Sequence, residues 1–119
     1  MKSLRLELIY AGDHNLSCYY AAKVVEAVVP FFPNLLEWEK VYIRQKEGAR
    51  RFYELSVSLF GEDNVRKYHY HAPIPSIFIN GELVCDRIPS VEELKDIIEW
   101  VLRRAGDGAQ QLGGSPRED

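Results

Sequence analysis

Apolar and polar residues alternate at the start of the chain: Leu4, Leu6, Leu8 and Tyr10 share one parity, Arg5, Glu7 and Ile9 the other. That period of two predicts a strand from Leu4 to Ala11, broken by Gly12-Asp13. From Leu16 to Val29 the period lengthens. Ala21, Ala22, Val25, Val28 and Val29 recur at helical spacing, and Pro30 closes the predicted helix. Alternation returns over Leu36 to Ile43, a second strand that runs parallel to the first because a helix connects them.

Glu47 to Phe60 places Phe52, Leu55 and Leu59 on one helical stripe, with Gly61 where a helix-ending glycine belongs. The polar run that follows predicts a connection leading to Tyr68-His69-Tyr70-His71, an exposed extended segment. Asn80-Gly81 between Ser76-Ile77-Phe78-Ile79 and Glu82-Leu83-Val84-Cys85 is a strong hairpin signal. Ser90 and Glu93 form a capping box, and Val91, Leu94, Ile97, Ile98 and Val101 give a last helix ending near Arg104. The order is β-α-β-α-β-β-α, an α/β domain over residues 1–104 with a mixed sheet of four strands flanked by helices. The Gly, Gln and Ser content of residues 105–119 predicts a disordered tail.

The chain has 119 residues, 46% hydrophobic and 28% charged, in the range of one domain with its own core. Two cysteines, Cys18 and Cys85, are too few for a disulfide scaffold and lie far apart, so a reduced, cytoplasmic setting is expected. The opening residues carry neither a signal-peptide core nor a membrane span. Net charge is −3, and before residue 105 there are 14 basic against 15 acidic residues, so neither nucleic acid nor a membrane surface is expected as a partner. A local basic excess from Lys40 to Lys67 reads as a solvated helix face, with a docking patch as the alternative.

The order of elements, together with Ile74-Pro75-Ser76-Ile77-Phe78-Ile79-Asn80-Gly81-Glu82-Leu83-Val84, resembles the thioredoxin and glutaredoxin superfamily over about residues 4 to 104. It is most similar to the small thioredoxin-like proteins of bacteria and archaea, in which Gly-x-x-Cys-x-x-Cys follows the first strand. Gly12-Asp13-His14-Asn15-Leu16-Ser17-Cys18 keeps the glycine and the second cysteine but has Asn15 in place of the attacking thiol. Without that thiolate, disulfide exchange cannot begin in the usual way. Asn15 is also a good N-cap, since its amide oxygen can accept from backbone N–H groups of the first turn.

The resemblance implies a cis Ile74–Pro75 bond, with the Ile74 backbone facing the Asn15 loop. Read without it, Pro73 and Pro75 keep an extended, trans approach segment. Cys18 falls in the first helical turn, where an accessible thiol could react and a buried one is core; Cys85 reads as core, and no Cys18–Cys85 disulfide is expected. His14, near the Asn15 loop, and His69 and His71, before the proline loop, are ligand types for zinc or copper. Their spacing matches no metal motif, and neither a metal nor a cofactor is expected.

Two functions follow from the resemblance. The first is a noncatalytic module with a degenerate Asn-x-x-Cys motif that binds a protein or peptide partner through the Asn15 and Ile74-Pro75 loops. The alternative is an atypical thiol-disulfide oxidoreductase in cell redox homeostasis, with Cys18 as the catalytic residue forming mixed disulfides with a thiol such as glutathione.

Overall fold

The structure, a computed structural model, describes residues 3–111. Its elements are β1 (Leu4–Tyr10), α1 (Leu16–Val28), a 3-10 turn (Val29–Phe31), β2 (Leu36–Tyr42), α2 (Lys46–Phe60), α3 (Glu62–Tyr68), β3 (Ile77–Ile79), β4 (Glu82–Cys85) and α4 (Val91–Gln111). The strands form one mixed sheet in the order β2-β1-β3-β4. β1 pairs parallel with β2, from Leu4 opposite Leu36 to Tyr10 opposite Tyr42, and antiparallel with β3. The chain is thus mixed α/β, with a four-stranded mixed sheet flanked by helices.

The alternation of β1 divides the core in two. Leu4, Leu6, Leu8 and Tyr10 face α1 and α4, packing with Cys18, Ala21, Ala22, Val25, Val28, Leu94 and Ile98. Ile9 points to the other face, where Val41, Leu55, Ala72 and Phe78 form a smaller cluster beneath α2. Each large aliphatic side chain buried in these layers contributes roughly 1.5–3 kcal/mol.

The hairpin and the last helix form for the reasons visible in the sequence. Asn80 and Gly81 both take positive φ, at 52° and 85°, as the two-residue turn requires. Ser90 Oγ accepts from the Glu93 N–H at 3.0 Å while Glu93 Oε1 accepts from the Ser90 N–H at 2.8 Å, closing the capping box.

Three expectations change. The polar run after Gly61 is the helix α3, held by Glu62 and Asp63 in its first turn and Arg66 and Lys67 in its last, each suited to the helix dipole. It takes in Tyr68, and His69 ends it in the left-handed conformation, so the exposed extended segment is shorter than the pattern implied. α4 continues past Arg104 to Gln111, seven residues into the expected tail; the rest of that tail lies outside the described residues. No helix among the described residues is long and apolar enough to cross a membrane.

Candidate functional site

The loop between β1 and α1 is fixed by short-range bonds. Gly12 takes φ 146°, and the His14 ring lies so close that a Cβ on Gly12 would meet it at 2.6 Å. The Asn15 N–H donates to the Gly12 carbonyl at 3.0 Å, closing the turn, and Asn15 then starts α1 with extended φ and ψ. Its Oδ1 accepts from the Cys18 N–H at 3.0 Å, so Asn15 is the N-cap. At the end of β1 the Tyr10 hydroxyl donates to Asp13 Oδ1. That bond, with burial, raises the Tyr10 phenol above its usual pKa.

Cys18 is turned away from solvent, with no exposed surface, and its Sγ accepts from the Ala11 N–H at 3.3 Å. Cys85 is also a free, buried thiol, pushed up to about 11 by burial. Leu16 and Ser17, by contrast, are exposed, so the solvent face of this turn is made by the residues between Asn15 and Cys18.

The second loop spans residues 72–76. Its Ile74–Pro75 peptide bond is cis. Ala72 is anchored to α2, its N–H donating to Ser56 Oγ at 2.9 Å. Ser76 Oγ donates to the Pro73 carbonyl at 2.6 Å, and the Ser76 carbonyl accepts from the Ile9 N–H of β1 at 2.9 Å. Ile74, half-buried, packs against the cluster that contains Cys18 and also against the cluster under α2. Both loops are therefore attached near the C-terminal end of β1, one through Ala11 and the other through Ile9. Among the described residues, neither the N–H nor the carbonyl of Ile74 is hydrogen-bonded.

The histidines do not converge. His14 lies on Gly12, while His71, exposed, packs its ring 5.7 Å from Phe52 and places Nδ1 2.8 Å from the Ala72 carbonyl. Among the described residues no three His, Cys, Asp or Glu side chains gather to hold a metal ion. Arg44, Lys46, Arg50, Arg66 and Lys67 of the basic stretch are exposed.

Sequence reasoning missed two features near these loops. Glu7, on the parity of the exposed Arg5, is only 1% exposed because α2 covers it, and it is met by Arg51 from the stretch read as a solvated face. Ser56, polar and within a helix, gave no signal of its tie to Ala72. No family model, curated protein or solved structure matches the chain.

Proposed function

We propose that the chain is a noncatalytic thioredoxin-like domain that binds an extended protein or peptide segment between the Asn15 turn and the Ile74-Pro75 loop. The observation that carries this reading is that, among the described residues, nothing bonds the N–H and carbonyl of Ile74, two backbone groups on a half-buried residue that an incoming strand can pair with. Elsewhere in the 72–76 segment, Ala72, Pro73 and Ser76 are tied back into the protein, which supports treating Ile74 as the residue left for a partner. The central β1 between parallel β2 and antiparallel β3, with α1 and α4 on one face and α2 on the other, is compatible with the family's architecture. Two free, buried cysteines suit a reduced, cytoplasmic setting.

The single-cysteine oxidoreductase reading is weaker. Nucleophilic attack needs an accessible thiolate, and the Cys18 sulfur is enclosed by the core and by Ala11.

The test is selection of random peptides displayed on phage against the whole chain, followed by titration of the selected peptide into the 15N-labelled protein. Joint movement of the Ile74 and Asn15 amide resonances is expected. A selected peptide that leaves both unmoved, while shifting resonances elsewhere, removes the proposal.

A further inference from the structure

Tyrosine and cysteine aside, three side chains with hydrogen-bonding chemistry are buried among the described residues: Glu7, Ser56 and Ser76, each 1% exposed. Buried polar groups are costly unless partnered, so their placement shows where the fold needs geometry fixed rather than volume filled. All three belong to one circuit. Glu7 of β1 receives Arg51 of α2, and five residues further along α2 Ser56 receives the Ala72 N–H. Ser76 holds Pro73 with its hydroxyl, and its carbonyl returns to β1 at Ile9, two residues from Glu7.

The apolar contacts follow the same line. Phe52, Ser56 and Phe60 lie at steps of four on α2, hence on one stripe, and residues 70–72 after α3 lie against it. Tyr70 packs edge-on against Phe60 with ring centroids 5.5 Å apart, Ala72 bonds to Ser56, and His71 lies against Phe52.

The circuit surrounds one residue. Prolines 73 and 75 carry no N–H, so between His71 and Ser76 only Ala72 and Ile74 can donate. Ser56 takes the Ala72 donor and leaves that of Ile74. We propose that Ser56 and Ser76 are positioning residues that fix the 72–76 segment between α2 and β1 so that the Ile74 N–H and carbonyl are presented as a pairing edge. This rests on the binding role assigned to Ile74 and adds its regulation: affinity for an extended backbone is set by two serines that no partner touches.

The experiment uses the whole 15N-labelled chain as wild type, Ser56→Ala, Ser76→Ala, Ser56→Thr and, as a control for lost stability alone, Ile98→Val in α4. Amide exchange at Ala72, the Ile74 amide resonance and affinity for the phage-selected peptide are read on each. Ser56→Ala should speed Ala72 exchange about tenfold, displace the Ile74 resonance and weaken the peptide about tenfold. Ser76→Ala should do the last two, Ser56→Thr should restore the wild-type resonance, and Ile98→Val should lower the melting temperature without moving Ile74. The inference is overturned if both alanine variants keep the wild-type Ile74 resonance and peptide affinity. If no peptide pairs with Ile74 even in wild type, the binding proposal fails by itself; the resonance comparison still decides whether the serines position the segment, an unmoved Ile74 refuting it.

Discussion

Arg51 grips Glu7 with two parallel hydrogen bonds, 2.8 Å from Nε and 2.9 Å from a terminal nitrogen, across the space between α2 and the centre of the sheet. Such forked geometry is the strongest arrangement open to an ion pair. The carboxylate is buried while the guanidinium is 37% exposed, so losing the arginine hurts more than the pair itself stabilises. Arg51→Leu should destabilise by roughly 2–4 kcal/mol, less than for a fully enclosed pair. The double variant Glu7→Leu/Arg51→Leu should recover much of that in urea unfolding, and additive losses would contradict the stranded-charge account.

Gly48 in α2 has no room for a side chain. A Cβ there would overlap the backbone of Tyr42, including its carbonyl oxygen, at the end of β2. Backbone cannot move aside as a flexible side chain can, so Gly48→Ala should cost about 3 kcal/mol or more despite alanine's better helix propensity. Gly61→Ala is the contrast: φ of 89° with ψ of 149° strains an alanine but nothing lies within 4 Å, and a loss of roughly 1–3 kcal/mol from that strain alone is expected. Denaturant midpoints of the two variants should differ accordingly; equal midpoints would refute the close packing of α2 on Tyr42.

Cys85 gives stability a dependence on alkaline pH. Burial favours its thiol form, with the pKa raised from 9.0 to about 11. The folded state therefore holds this proton more tightly than the unfolded chain. Its contribution is full below pH 9 and is lost as pH rises through the interval to 11, by on the order of 2 kcal/mol. Tyr10, raised by its bond to Asp13 and by burial, adds its own loss only above the usual tyrosine range. Unfolding free energies measured from pH 8 to 10 should fall more steeply for wild type than for Cys85→Ala. Identical slopes would show Cys85 to be uninvolved.

Asn15→Cys places a thiol three residues before Cys18 at the start of α1. The introduced thiol should form a disulfide with Cys18 and allow dithiothreitol-driven reduction of insulin, which the natural chain should not catalyse. Loss of the Asn15 cap should lower stability by about 1 kcal/mol. A wild type that already turns over like a thioredoxin would end the noncatalytic proposal, and a folded variant without the disulfide would show that the motif is misaligned.

Much of the fold is legible because its elements obey local rules. The parity of Leu4, Leu6 and Leu8, the Asn80-Gly81 turn, the Ser90–Glu93 box and the Asn15 cap each depend on residues within a few positions of one another. α3 leaves no such trace because it has no buried residue to mark a stripe, only charges placed to suit its dipole. Glu7 is hard to read for a different reason: alternation assigns it to the second face of β1 but does not say that a helix lies over that face. The Ser56–Ala72 bond spans 16 positions and depends on how α2, α3 and the proline segment fold back together, a relation that no periodicity encodes.

The division of the core sets how the two layers can change. Between the sheet and α1 and α4 the contacts are made by aliphatic residues together with Phe32, Tyr10 and the two cysteines, so substitutions that conserve volume should be absorbed one at a time. Beneath α2 the apolar cluster of Ile9, Val41, Leu55, Ala72 and Phe78 is flanked by two directional links, Arg51 to Glu7 and the Ala72 N–H to Ser56, and removing a side-chain partner from either leaves a buried polar group stranded. Over many generations the apolar positions of both layers can drift residue by residue, while Glu7 and Arg51 should change together and Ser56 only to a residue that still accepts the Ala72 N–H, so the segment bearing Ile74 is tied to the positions that resist change.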